Sequence, residues 1–212
     1  MKPSKGRAGR IGVARSRGLA RAGGAALVAV AAIAIAAAPA SAKTKTKTYS
    51  SGAINAAIPD GAFPAAGAGG VGTAIDTTRV RGKGKLTDVN VSVRITHPFD
   101  RDLEIWLMSP NHTVVKAVVR RGGNGDNFGA GPADCTGTFT VLDDQAETPV
   151  AGGAAPLAGS FVPDQPLSAL AGQQAKGAWS LFVLDTAVDD AGTLHCWELT
   201  ATTKSKKRGK RK

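Results

Sequence analysis

Histidine and cysteine are scarce in this chain of 212 residues, which has three of the first and two of the second. Nucleophilic catalysis needs a serine or cysteine beside a positioned base, and the H-E-x-x-H zinc motif needs two histidines on one helix face. Neither that motif nor the G-x-S-x-G elbow of serine hydrolases occurs. His97 could act as a base oriented by Asp100 or Asp102, but a structural hydrogen bond that ties its loop to a strand end is the preferred interpretation. We therefore predict a protein without catalytic activity of its own.

Long hydrophobic runs are also missing. The longest, Ala25 to Ala38, has 14 residues, whereas a membrane-spanning helix needs about 20. This run follows seven basic residues and precedes the small-residue sequence A-S-A at positions 40–42, an arrangement typical of a signal peptide and its cleavage site. We predict a signal peptide over residues 1–42, a secreted extracellular protein, and no transmembrane segment after cleavage.

Positive charge is scarce in the middle of the chain, although the formal net charge is +11. Residues 49–203 hold only ten basic residues against all 16 acidic ones, a balance of about −6. Residues 43–53, which begin with alternating lysine and threonine at 43–48, are predicted to be a solvated linker, and residues 204–212 a disordered basic tail. Because a nucleic-acid-binding domain normally carries positive charge on its fold, we expect no specific nucleic-acid partner.

The basic tail is the strongest electrostatic feature of the sequence. Its charged residues include Lys206, Lys207, Arg208, Lys210, Arg211 and Lys212. Such a segment attracts anionic surfaces in a salt-dependent way, so an anionic cell-envelope polymer is one candidate partner. A tail that only keeps the protein soluble is the alternative.

Residues 54–203 have the periodicity of short β-strands. The segment Val89–Ile95 alternates strictly between apolar and polar residues, and Leu103, Ile105 and Leu107 repeat the pattern. Further strands are predicted at 75–80, 114–119, 137–142, 179–184 and 194–200, with glycine-rich turns between them. One short helical turn is expected within residues 166–172. This spacing predicts an all-β, antiparallel, jelly-roll-like β-sandwich.

The three tryptophans lie within these alternating segments. Trp106, Trp179 and Trp197 could form a carbohydrate-binding platform. Large aromatic residues in such strands more often fill the core, so core positions are predicted for all three.

Cys135 and Cys196 are an even pair in a chain predicted to be exported, which favours a disulfide. Two free buried cysteines are the alternative. A bridge would close a loop whose ends are 61 positions apart, which is worth about 4 kcal/mol in the chain-entropy description.

Two ordered motifs carry a family resemblance. The first runs from His97 to Pro110 (H-P-F-D-R-D-L-E-I-W-L-M-S-P), and the second from Gly177 to Asp185 (G-A-W-S-L-F-V-L-D). Together with the I-P-D sequence at 58–60 and G-T-L-H-C-W at 192–197, they resemble the P domain, also called the Homo B domain. That β-sandwich, which has a galactose-binding-like fold, follows the catalytic domain in subtilisin-like proprotein convertases. The residues that carry the resemblance most directly are His97, Asp102, Trp179, Asp185, Gly192 and Trp197.

The resemblance covers about residues 54–201, with two departures. Arg101 and His112 stand where the family commonly has glycine. Nothing in the sequence resembles the protease half, since the D-T-G, H-G-T-H and G-T-S-M motifs are all missing.

This resemblance implies a secreted, non-catalytic protein that stabilises or regulates a subtilisin-like serine protease, or binds another partner, in trans. A cell-envelope binding module held by the basic tail is the first alternative. Serine-type endopeptidase activity, which the family suggests only by association, is the second.

Aspartates are concentrated in the predicted turns. Calcium takes six to eight oxygen ligands from carboxylates and loop carbonyls, and the resemblance also implies calcium as a possible cofactor. The candidate ligands are Asp185, Asp189, Asp190, Asp100 and Asp102. Asx turns, in which each carboxylate bonds its own backbone, are the alternative interpretation.

Overall fold

The computed structural model describes residues 43–61 and 72–205. Its ten strands form two sheets, which confirms the predicted all-β sandwich. The strands are β1 (Lys43–Ser50), β2 (Ala56–Ile58), β3 (Gly72–Val80), β4 (Lys85–Thr96), β5 (Leu103–Met108), β6 (Val114–Val119), β7 (Thr140–Leu142), β8 (Gly159–Phe161), β9 (Gly177–Asp185) and β10 (Gly192–Ser205). The predicted signal peptide and residues 206–212 of the predicted tail lie outside the described ranges.

One sheet has the order β1-β10-β4-β7-β8, with β2 also paired to β10, and the other has the order β3-β9-β5-β6. All pairs are antiparallel except β7 with β8. The helical segments of the described ranges are 3-10 turns at Asp100–Asp102, Val150–Gly152 and Leu167–Leu170, the last of which confirms the predicted turn. None has the length and hydropathy of a membrane-spanning helix.

The core lies between the two sheets, where the alternating residues of β4 and β5 point inward. Trp179 and Trp197 are fully buried, as predicted. The Trp197 indole N–H crosses the core and donates to Asp76 Oδ2 on β3 at 2.8 Å. The prediction for Trp106 is wrong, because its half-buried ring lies on the outer face of β5. Successive side chains of a strand point to opposite faces, so Trp106 points outward because its neighbour Ile105 points into the core.

The predicted linker at 43–53 is wrong for residues 43–50, which form β1 and pair with β10 at all eight positions. Alternating lysine and threonine has the period of a strand, and threonine is β-branched, which favours strands. Hydroxyl hydrogen bonds between threonines of β1 and β10, at 2.8 and 2.9 Å, add to the backbone ladder. The predicted tail also begins too early, since Lys204 and Ser205 are the last residues of β10.

Cys135 and Cys196 form a disulfide, as predicted, with 5.9 Å between their Cα atoms. The bridge joins the loop at 130–138 to β10, where Cys196 is buried. The same loop is held by Arg94, a buried residue of β4. The Arg94 guanidinium donates to the backbone carbonyls of Ala130, Pro132, Asp134 and Thr138. The loop is therefore fixed by a covalent bond and by a buried cation satisfied by carbonyl oxygens.

Candidate functional site

The two sequence motifs meet in a buried, hydrogen-bonded pair of side chains. His97 Nε2, at the end of β4, lies 3.1 Å from Asp185 Oδ2 at the end of β9, and the two side chains are 0% and 1% exposed. Asp185 Oδ1 accepts the Ala187 backbone N–H at 3.1 Å. His97 Nδ1 faces the Phe99 backbone, 2.9 Å from its carbonyl oxygen. Because a carboxylate can only accept, Nε2 carries a proton and donates it to Asp185.

This arrangement joins strand ends from the two sheets. The sequence predicts a structural hydrogen bond from His97 that ties its loop to a strand end, and the carboxylate that His97 contacts, Asp185, is 88 residues away in the chain. The Asp102 backbone carbonyl completes the connection by accepting both the N–H and the hydroxyl of Thr186 at 2.8 Å. Burial of the imidazole leaves no room for a substrate beside it. The pair therefore fixes strand ends.

Gly192, the first residue of β10, makes this packing possible. A Cβ atom there would lie 2.6 Å from the Thr96 carbonyl oxygen and 2.7 Å from His97 Cδ2. Any larger residue would push His97 away from Asp185. The glycine of the G-T-L-H-C-W motif is thus explained by a close approach.

The two departures from the family motif are compatible with the backbone. His112 has φ = 62°, in the left-handed region that favours glycine, and a non-glycine residue there carries some strain. Arg101 lies in the 3-10 turn at Asp100–Asp102, which requires no left-handed conformation.

The five predicted calcium ligands do not converge. Within the described ranges, no three histidine, cysteine or acidic side chains are grouped closely enough to hold a metal ion. Asp185 is engaged by His97, Asp189 is exposed in a left-handed conformation, and Asp190 is half-buried. Asp102 is buried and lies 4.0 Å from the Arg101 guanidinium.

Asp100 differs from the other four because it is completely buried and neither carboxylate oxygen has a hydrogen-bond partner. Burial and, to a smaller extent, the nearby Asp126 carboxylate raise the pKa of Asp100 to about 7, against the opposing effect of the Asn127 backbone amide. Among the described residues, no ion pair compensates the buried Asp100 carboxyl group.

A second buried cluster surrounds His195, which sequence reasoning had not assigned. Its ring nitrogens lie 2.7 Å from Thr96 Oγ1 and 3.0 Å from Asn55 Oδ1. Burial lowers the pKa of His195, and the Arg94 charge lowers it further, while Asp134 opposes them. Neutral His195 thus links β4, β10 and the segment before β2.

The outer face of the four-stranded sheet is apolar. Cross-strand neighbours place Ile75 of β3, Phe182 of β9, Trp106 of β5 and Lys116 of β6 in one row. Ile75 is 55% exposed, and Phe182 and Trp106 are half-exposed. The Lys116 ammonium lies 4.3 Å from the centre of the Trp106 ring. We name this surface, extended by the half-exposed Met108 and Leu184, the apolar face.

The outer face of the other sheet is polar by comparison. Its positions on β4 and β10 are Asn90, Ser92, Glu198, Thr200 and Thr202. The sequence already indicates this difference between the two outer faces. Strands β5 and β9 carry apolar residues on both faces, a pattern typical of strands that are covered on both sides. Only the sheet pairing shows that their second apolar faces align.

Lysines surround the open edge of the sandwich at β1. Lys45, Lys47 and Lys83 border one depression, and Lys83, Lys85 and Lys204 border its neighbour. All five are exposed. We name this surface the lysine edge. The sequence, which assigned residues 43–53 to a linker, gave no reason to place positive charge on the fold.

A two-sheet, mostly antiparallel sandwich closed by buried polar pairs defines the chain as a β-sandwich domain. The chain belongs to the proprotein convertase P-domain family, whose profile matches residues 86–201. This confirms the resemblance carried by the two motifs. The P domain is the non-catalytic accessory domain of that group of proteases.

Two solved structures are similar to the chain. The serine protease of Aeromonas sobria is 18% identical with a TM-score of 0.45, over 76% of this chain and 27% of that one. The complex of that protease with the chaperone ORF2 gives 18% identity and a TM-score of 0.45, over 77% and 28%. The chain thus spans about a quarter of the length of these proteins. No curated protein matches it.

Proposed function

We propose that this protein is a non-catalytic P domain that binds a subtilisin-like serine protease in trans, through the apolar face, and stabilises it. Membership of the proprotein convertase P-domain family supports the class of partner. The observation that carries the proposal is the row Ile75, Phe182 and Trp106 on the outer sheet surface, where Ile75 is exposed and the two rings are half-exposed.

The composition of the apolar face suits a protein partner. Contiguous exposed apolar surface on a soluble domain marks interaction sites, and aromatic residues carry much of the binding energy at interface centres. The salt bridge between Lys116 and Glu104, 3.8 Å apart, and the hydrogen bond from the Trp106 indole to Glu104, at 2.8 Å, hold the Trp106 ring in place. A prearranged aromatic side chain loses less conformational freedom on binding.

We expect the full chain to raise the melting temperature of a subtilisin-like catalytic domain purified without its own P domain. At protein concentrations well above Kd the shift should be roughly 5 °C. Replacing Ile75 by Ser together with Trp106 by Ala should weaken binding at least about tenfold. Differential scanning fluorimetry and titration calorimetry measure the two effects.

Ser92→Ala, on the polar outer face of the other sheet, is the matched control and should bind like the unmodified chain. The apolar face is not the binding surface if the double variant, still folded, stabilises the protease equally well. A lack of any shift with catalytic domains from several P-domain-containing proteases would count against the proposed function itself.

The lysine edge favours a second candidate function, binding of an anionic cell-envelope polymer. The sequence supports this function through the basic tail predicted at 204–212. Lysines on β1 and on the β3–β4 turn now add a basic surface on the fold. Each lysine near an anionic surface contributes about 1 kcal/mol at low salt.

Replacing Lys45, Lys47 and Lys83 by Gln should reduce binding to isolated cell walls at least about tenfold at low ionic strength. A chain ending at Ser205 tests the tail separately. Co-sedimentation at two salt concentrations measures both. Equal binding by the lysine variant and the unmodified chain would show that the lysine edge does not bind the polymer.

Both functions require the protein outside the cell, where the predicted signal peptide at 1–42 would deliver it. The family match covers the accessory domain and gives no support to endopeptidase activity. We therefore do not propose a protease.

A further inference from the structure

Positive charge is concentrated at one end of the sandwich. Strands β3 and β10 end there, and strand β4 begins there. The register brings these strand ends together, because Lys204 of β10 pairs with Thr44 of β1 on one side and with Lys85 of β4 on the other. The lysine edge is part of this region. We name the whole surface the basic end, and its nine exposed residues are Lys43, Lys45, Lys47, Arg79, Arg81, Lys83, Lys85, Lys176 and Lys204.

The protein itself does not neutralise the charges of the basic end. The segments that carry them, at 43–47, 79–86, 172–177 and 201–205, contain no acidic residue. Among the described residues, the ion pairs include none of the nine side chains. The acidic residue of β4, Asp88, lies near two further aspartates that follow β7, and burial together with these two carboxylates raises its pKa. The positive charge is therefore available to an anionic partner.

Hydrogen bonds fix the backbone of the basic end. The Gly82 N–H, in the turn between β3 and β4, donates to the Tyr49 hydroxyl of β1 at 3.2 Å. The Ala175 N–H donates to the Gly84 carbonyl at 3.0 Å, which holds the segment that carries Lys176 against the same turn. The nine cations therefore project from a fixed backbone, and an anionic partner would relieve their mutual repulsion.

The lysines of β1 form a row. Lys43, Lys45 and Lys47 are alternate residues of one strand, so their side chains point to the same side at intervals of about 7 Å. Lys83 borders both lysine-lined depressions and continues the row towards β4. A lysine ammonium group is a compact point charge that does not impose the two-pronged geometry of arginine. Such a row suits a flexible polymer with repeated phosphate groups better than a single planar carboxylate.

The opposite end of the sandwich is acidic. The loops there, at 59–61, 97–102, 120–129 and 185–191, contain seven aspartates and three arginines. A polyanion therefore attracts one end of the sandwich and repels the other, which fixes the orientation of the bound protein. The apolar face lies on the outer surface of β3, β9, β5 and β6 and shares no residue with the basic end. It stays exposed when the basic end is occupied.

We propose that the basic end binds a polymer of repeated phosphate groups while the apolar face holds the protease. The protein then places a protease at an anionic cell envelope. This inference rests on both proposed functions and adds that the two surfaces are occupied at the same time, with the polymer recognised by its closely spaced phosphates.

Polymer binding is measured with the full chain on beads that carry long-chain polyphosphate. Lys45→Gln combined with Lys83→Gln should weaken binding about tenfold at low ionic strength. Arg101→Gln combined with Arg120→Gln, at the acidic end, removes the same net charge and should bind like the unmodified chain. Inorganic phosphate at the same total phosphate concentration should not displace the protein, because the row contacts several phosphates of one polymer at once.

Simultaneous binding is measured by adding a subtilisin-like catalytic domain, purified without its own P domain, to the same beads. We expect the beads to retain it only when the full chain is present. Ile75→Ser combined with Trp106→Ala should bind the beads normally and retain at least about tenfold less of the catalytic domain. The lysine variant should lose both the chain and the catalytic domain from the beads.

Three results would overturn the inference, and they differ in what else they affect. If saturating catalytic domain displaces the chain from the beads although it binds the chain in solution, the surfaces overlap, and both proposed functions stand. Equal bead binding by the lysine and arginine variants would mean that net charge alone attracts the polymer. A catalytic domain that does not bind the chain in solution would refute the proposed protease partner and simultaneous binding with it.

Discussion

Replacing Cys135 by Ser and Cys196 by Ala is expected to lower the free energy of unfolding by about 4 kcal/mol. The bridge joins residues 61 positions apart, and the closed segment contains β7, β8, β9 and the start of β10, so its loss releases a long loop in the unfolded chain. Arg94 still binds four carbonyls of the loop at 130–138. The native fold should therefore persist, and equilibrium urea unfolding measures the difference.

The unmodified protein in reducing agent is the matched control, since it differs from the oxidised protein only in the bridge. It should unfold close to the double variant. Equal unfolding midpoints for the oxidised and reduced proteins would contradict a stabilising effect of the Cys135–Cys196 bridge. A large additional loss in the double variant alone would mean that packing of the Cys196 side chain, which is 1% exposed, contributes as much as the covalent link.

Removing either member of the buried His97–Asp185 pair is the second change with a large expected effect. His97→Leu leaves the Asp185 carboxylate buried without its main partner, and Asp185→Leu leaves His97 Nε2 without an acceptor. Loss of one partner from a buried pair costs about 3–5 kcal/mol. The double variant should lose less than the sum of the two single losses, because neither polar group is left buried without its partner.

A double-mutant cycle from urea unfolding measures this coupling. Asp189→Asn is the control, an exposed aspartate in the loop that follows Asp185, and it should change stability by less than about 0.5 kcal/mol. If a single variant fails to fold while the double variant folds, the destabilisation comes from the partner left unpaired, and the two residues are strongly coupled. Additive losses would show that the pair contributes only packing.

Much of the fold could be predicted because its information is local. The alternation in Val89–Ile95 and in Leu103–Leu107 identifies β4 and β5, since a period of two is the geometry of a strand. The short 3-10 turn at Leu167–Leu170 was also visible. Residues 43–48 have the same period, but their lysines favour a solvated linker in the sequence, whereas the structure shows that an edge strand can be both solvated and paired.

The candidate sites depended on contacts between residues distant in the chain. Asp185 is the partner of His97 only because β5 pairs with β9, which brings the ends of the two motifs together. Trp106 seemed a core residue until the sheet order placed it beside Phe182 and Ile75 on an outer face.

The sequence by itself determined the family, the β-sandwich, and the cysteine pair, because motif order, strand period and cysteine count are properties of the linear chain. Tertiary structure decided which charges are paired, which carboxylate is left alone, and which apolar side chains face solvent. Those properties follow from strand order and register, and a period-two pattern specifies which residues share a face without specifying what that face meets.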